Sequence, residues 1–164
     1  MFQRILIPLD GSSQAEQAIP VASKIAQETH SHILLVCVIN HAHADSTCTN
    51  ASGEAWTRFE EAQSYLKRIS DIIAATAASV ETFVVAGPAV PTILKIATIT
   101  QTDLIVLSSH DHGHSGAQQM RGQTLGNVTR ALLISTHTPI LVRQADGTLI
   151  YLKQALQSLT VTCL

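Results

Sequence analysis

The chain has 164 residues, of which 46% are hydrophobic and 13% charged, with a formal net charge of −2. It is too apolar for a disordered polymer and long enough for one domain with a sizeable core. Its few basic residues form no run or stripe, which argues against nucleic-acid binding, and its longest apolar run, Ile33 to Ile39, falls far short of the roughly 20 residues that cross a bilayer.

Met1-Phe2-Gln3-Arg4 leads directly into Ile5-Leu6-Ile7, without the pattern of a signal peptide. The cysteines (Cys37, Cys48 and Cys163) are odd in number and widely spaced, which reads as reduced thiols rather than a disulfide frame or zinc site. A cytoplasmic protein is therefore expected. So little charge on so apolar a chain also favours self-association that hides surface.

Strands and helices alternate along the sequence. Gln3 to Leu9 is an apolar strand that stops at Asp10-Gly11. Ser13 stands three residues before Glu16, the spacing of a capping box, and opens a helix through about Glu28 that Pro20 should kink. His32 to Ile39 is a second strand, apolar on both faces as in a covered parallel sheet. A polar stretch, Asn40 to Ser52, precedes a helix whose apolar positions Trp56, Phe59, Ala62, Leu66, Ile69 and Ile73 recur every three or four residues. Val80 to Ala86 is the third strand and ends at Gly87-Pro88. A short helix from Pro91 to Ile99 follows, then strand four from Asp103 to Ser109, a helix from Gly126 to Ser135, and a short fifth strand from Pro139 to Arg143.

This order predicts a single doubly wound α/β domain: a five-stranded parallel sheet, strand order 3-2-1-4-5, with helices on both faces. Ligands of such sheets bind outside the carboxyl ends of the strands, where the strand order reverses. The segments to search are Asp10-Gly11, the end of strand two near Val38, and the loop after Ser109.

That last loop carries Gly113 and Gly116 and leads to Gly126-Asn127-Val128 at the start of a helix. Glycines there let backbone N–H groups close on an anion, and the helix N-terminus adds unpaired donors and a positive dipole end. A phosphate chain is the guest this pattern suits, although glycines in a loop also serve as plain turns.

Several separated segments, in order, resemble the universal stress protein family: Ile5 to Ser12, Gly87-Pro88-Ala89, Leu125 to Val128, and Thr138 to Arg143. The resemblance covers about residues 3 to 143. It implies ATP or a related adenine nucleotide as ligand, accompanied by Mg2+ or Mn2+ where a divalent cation is used. The family's ATP-binding branch has the pattern G-x2-G-x9-G followed by Ser or Thr, and Gly113, Gly116 and Gly126 fit it by count, with Asn127 in the last place. In typical members the first glycine directly follows strand four, where this chain has Ser108, and the loop here is longer. Counted from the strand end, Ser108 and Asp111 replace the two glycines. The register that keeps the glycines is preferred, because Asp111 would repel phosphate unless a cation intervened. By resemblance, Pro8, Leu9 and Asp10 lie at the adenosine end, with Asp10 near ribose or metal, and Val38 meets adenine. Asp10 can also be read as a turn residue capping the first helix.

No nucleophile, base and orienting group stand together, and neither a Gly-Lys-Ser/Thr phosphate loop nor paired acids after an apolar strand is present. The residues point to binding rather than turnover, and the resemblance allows at most slow ATP hydrolysis or autophosphorylation. His41 and His43, and His110, His112 and His114, cluster at strand ends, but H-x-H spacing in loops does not by itself define a metal site.

Residues 144–164 lie beyond the resemblance. Leu149, Leu152, Leu156 and Leu159 follow steps of three, four and three, an amphipathic helical extension, and residues 1–143 form the nucleotide-binding domain. Members of the family often dimerise through the fifth strand, so the extension is expected to contribute to a homodimer. The function expected is a stress-response regulator that binds adenine nucleotide and acts on a protein partner the sequence does not identify. A nucleotide-independent dimeric interaction module of the same fold is the alternative.

Overall fold

The computed structural model describes residues 1–39, 47–49, 55–75, 79–109, 126–144 and 146–152, with the backbone alone described at 47–49 and 55–57. The elements in chain order are β1 (Arg4–Leu9), a 3-10 turn (Ala15–Gln17), α1 (Ala18–Thr29), β2 (His32–Ile39), β3 (Thr47–Thr49) and β4 (Ala55–Thr57). They continue with α2 (Arg58–Ala74), β5 (Ser79–Ala86), α3 (Ala89–Ile99), β6 (Leu104–Ser108), α4 (Asn127–Ser135), β7 (Ile140–Arg143) and β8 (Leu149–Leu152).

Six strands form one sheet in the order β5-β2-β1-β6-β7-β8. The first five are parallel and reproduce the expected order, while β8 is antiparallel to β7. Alternation along the strands divides the core. Ile5, Ile7, Ile33 and Leu35 face α1 and α2, where Ala18, Ala22, Leu66 and Ile73 cover them. Leu6, Leu34, Val36 and Ile105 face α3 and α4, which contribute Ile93, Ile96 and Leu132. The alanines of α1 let its backbone approach the sheet closely, while α2 reaches it through larger side chains.

Three local expectations change. The turn after β1 is organised by Ser12 rather than Ser13: the Ser12 hydroxyl accepts from the Ala15 N–H at 3.1 Å, and the Ser12 N–H donates to an Asp10 carboxylate oxygen at 2.9 Å. Because α1 begins at Ala18, Pro20 falls in its first turn, where no intrahelical donor is missed, and it needs no kink. Trp56 lies in β4, which pairs with β3, and α2 begins only at Arg58.

The C-terminal expectation also changes. Leu149–Leu152 is a strand, not the start of an amphipathic helix, and the rest of the proposed extension lies outside the described residues. A tight hairpin makes it so. Gly147 takes φ +87°, the Asp146 carboxylate accepts from the Thr148 N–H at 2.8 Å, and the Gln144 N–H donates to the Thr148 carbonyl at 2.8 Å. Ile150 and Leu152 then turn inward against the α3/α4 face, while Leu149 and Tyr151 stay about half exposed.

The β1–β6 contact positions the site. At the amino ends the strands are clamped: both Asp103 carboxylate oxygens accept backbone N–H bonds, from Gln3 at 2.7 Å and Arg4 at 3.1 Å. Registered pairing then runs only through Ile5↔Leu104 and Leu6↔Ile105, whereas β1 stays registered with β2 as far as Leu9↔Cys37. Pro8, which has no N–H, falls past the last β6 pair, so its missing donor costs no bond on that side. This is how a proline is tolerated in a central strand.

Candidate functional site

Above the point where β1 and β6 part lies a cavity of about 340 Å³, within the range of small-molecule sites. Its apolar walls come from Pro8 and Leu9 on β1, Val36 and Val38 on β2, Ile93 on α3 and Leu107 on β6. Its polar boundary is made by Asp10, Ser108 and the start of α4, from Gly126 through Thr129. Ala15 and Ala89 complete the lining. The cavity crosses the end of the sheet, since Ala15 belongs to the core on one face and Leu107 to the core on the other.

Two helices point their N-terminal ends at this space, α3 through Ala89 and α4 through Gly126–Thr129. Neither end carries a side-chain cap: Pro88 and Gly126, the residues at the cap positions, have no oxygen to offer. The first-turn N–H groups of α4 are thus disposed toward an incoming anion. The connection that places α3 is specific to glycine. The Gly87 N–H donates to the Ile39 carbonyl at 2.8 Å, and a Cβ added to Gly87 would lie 2.6 Å from the Thr92 hydroxyl oxygen.

Of the sequence-predicted site residues, Pro8, Leu9, Asp10, Val38, Gly126, Asn127 and Val128 all border this one cavity. Gly113 and Gly116 lie outside the described residues, as do the histidines at 41, 43, 110, 112 and 114. One Asp10 carboxylate oxygen accepts from the Ser12 N–H in the turn after β1, and the residue also lines the cavity. Sequence reasoning did not single out Val36, Ala89, Ile93, Leu107 or Thr129 as site residues. For Val36 the two-residue alternation from Val38 carried the signal, while Ile93 reads in sequence only as core.

Cys37 alternates away from the cavity into the α1/α2 core, where burial above all, and then the Asp10 charge, push its thiol up from the ordinary value. It is a packed small side chain and not a thiolate at neutral pH. On the same face, the Tyr65 phenol is raised by burial first and by the nearby Glu16 carboxylate second. Among the described residues there is no group of three or more histidine, cysteine or acidic side chains that would hold a metal, and no helix is long and apolar enough to cross a membrane.

The family model described as the universal stress protein family matches residues 1–143. A universal stress protein of Methanocaldococcus jannaschii is 25% identical over 144 residues, covering 87% of this chain and 82% of the relative. Among solved structures, a universal stress protein in complex with cAMP superposes with a TM-score of 0.63 at 18% identity, covering 86% of this chain and 95% of the other. The universal stress protein from Archaeoglobus fulgidus in complex with dAMP gives 0.60 at 17% identity, with 86% and 97% covered. These structural likenesses speak to the fold, a largely parallel sheet flanked by helices. With the family model spanning all but the last residues, the chain belongs to the universal stress protein family.

Proposed function

We propose that this protein is a regulatory binder of ATP or a related adenine nucleotide, held in the cavity above β1 and β6 with its phosphates at the start of α4. The observation that carries the reading is the composition of that cavity. Apolar strand ends form its walls, an acceptor (Asp10) sits at the end of β1, and an uncapped helix N-terminus also borders it. A flat apolar base fits between Pro8, Val36 and Val38, ribose hydroxyls donate to Asp10, and phosphate oxygens accept from the α4 N–H groups, with Asn127 adding a side-chain N–H. Two relatives of the same fold are solved with cAMP and dAMP, both adenine nucleotides. Gly113 and Gly116 belong to the proposal by their count from Gly126. Mg2+ or Mn2+, if carried in with ATP, would be held by the nucleotide's phosphate oxygens and by Asp10, and would offset their negative charge.

Calorimetric titration with ATP, with and without Mg2+, tests the reading. Saturable binding of one nucleotide per chain is the expected result. No heat of binding at millimolar ATP would overturn it and leave a nucleotide-independent interaction module of the same fold.

A homodimer forms part of the reading, because the half-exposed Leu149 and Tyr151 lie on β8, whose outer edge pairs with no strand among the described residues. The double variant Leu149→Lys/Tyr151→Lys places charges on that edge without touching the inward Ile150 and Leu152. Its mass in solution is expected to fall to that of a monomer at concentrations where the wild type is dimeric. A wild type that is monomeric, or a variant that stays dimeric, removes the β8 edge from the assembly.

A further inference from the structure

Two cavity residues, Asp10 and Ala15, sit in the connection that joins β1 to α1. The bonds within this turn are short-range: the Ala15 N–H donates to the Ser12 hydroxyl at 3.1 Å, the Glu16 N–H to the Ser12 carbonyl at 3.2 Å, and the Gln17 N–H to the Gln14 carbonyl at 3.0 Å. Such bonds fix the shape of a turn but not where it stands on the sheet. Ala15 sets part of that placement by packing in the α1/α2 core, although a methyl group buries little area. Side-chain contacts also reach the turn from distant parts of the chain. Arg68 approaches Glu16 only to 3.9 Å and is itself 67% exposed, a contact worth little. The Arg143 guanidinium instead donates to the Gln17 side-chain oxygen, and both residues are half-buried.

Arg143 is itself held. It ends β7, its carbonyl accepts from the Ser109 N–H at 2.9 Å, and it is registered with Ser108 of β6 and Leu149 of β8. Alternation with Leu141 puts its side chain on the α1/α2 face, the face on which Ala15 packs. Ser108, on that same face, offers Arg143 no bond, since its Oγ is buried without a partner, and among the described residues no carboxylate pairs with Arg143. Ion-pair energy therefore does not explain a guanidinium drawn partly out of water. Its bond to Gln17 ties β7 to the rim of the cavity, across 126 positions of the chain. Resting on the adenine-nucleotide reading above, we infer that Arg143 and Gln17 are positioning residues for the nucleotide site. Neither lines the cavity. Their bond holds the β1–α1 turn against the end of the sheet, so Asp10 and Ala15 meet the ligand already in place and binding does not have to order them. Loss of the bond lowers the binding-competent fraction of the protein, and the apparent affinity falls with it.

The test follows Arg143→Ala, Gln17→Ala, the double variant and Gln17→Glu by amide hydrogen exchange of the ligand-free protein and by calorimetry with ATP. Loss of one hydrogen bond should speed exchange at the Ala15, Glu16 and Gln17 amides by about three- to tenfold in either alanine variant. ATP affinity should fall by at least about twofold and at most by that same factor. The double variant should lose no more than either single one, and Gln17→Glu, which keeps the acceptor oxygen, should stay close to wild type. Faster exchange with undiminished ATP affinity reduces the bond to a stabilising contact and overturns the positioning role. Unchanged exchange in the alanine variants, or losses that add in the double variant, overturn the pairing of Arg143 with Gln17. A wild type that binds no ATP overturns the nucleotide reading and the positioning role with it, whereas a wild type that binds while the variants bind equally well overturns this inference alone.

Discussion

Replacing Val38 with tryptophan is expected to weaken adenine-nucleotide binding by about a hundredfold or more while the domain stays folded. Val38 is half-buried at the carboxyl end of β2, beside Val36 and facing the space that Pro8 and Ile93 bound. An indole there occupies the slot proposed for the base, and a cavity of about 340 Å³ leaves no room for both. The added ring enters empty space rather than the packed core, so overpacking strain of about 1–3 kcal/mol is the upper range for its effect on folding. Titration with ATP reads the loss, and a melting curve within a few degrees of wild type shows that the loss is local. Undiminished ATP binding in a folded Val38→Trp protein would show that the base lies elsewhere.

The second large effect concerns the sheet itself. Ile105→Ala is expected to lower the unfolding free energy by about 2–5 kcal/mol. Ile105 is fully buried near the start of β6, paired with Leu6 on one side and Ile140 on the other, and packed in the core beneath α3 and α4. Strands on either side hold its backbone, so the surroundings have little freedom to collapse into the vacated volume. Against a typical total of about 5–15 kcal/mol, that loss is large. Ile72→Ala serves as the comparison: the same truncation on the outer face of α2, where the side chain is 60% exposed, is expected to stay within about 1 kcal/mol. Denaturant unfolding measures both, and equal losses at the two positions would contradict the division between core and surface described above.

Much of the site was legible because its parts are encoded locally. Asp10-Gly11 ends β1 through a side-chain turn and a positive φ at Gly11, both of which follow from the two residue types themselves. Gly126 before an apolar helical stretch marks the start of α4 in the same way. Val38 could be placed because β2 is an unbroken apolar strand whose end is visible in the residues. The helical reading of Leu149 and Leu152 failed for a complementary reason. A three-residue apolar step satisfies a helix template, yet the Asp146-Gly147 turn directs the chain back along β7, and pairing with that strand then outweighs the weak local preference. Trp56 is a similar case, since it continues the helical spacing of α2 but pairs with Cys48 in β3.

By itself, then, the amino-acid sequence determined the alternation of strands and helices, the parallel sheet with its crossover order, and the turns at which a ligand would be met. Hydrophobic period and turn chemistry act over a few residues and are written where they operate. The tertiary structure alone decided where β1 and β6 separate, why Pro8 is tolerated in the central strand, which apolar residues of α3 and β6 wall the cavity, and that Ser108 is buried there without a partner. Each of these depends on groups far apart in the chain, held by packing and by clamps such as Asp103 on the start of β1. A pattern read along one strand carries no record of the neighbour it will lose or the space that opens when it does.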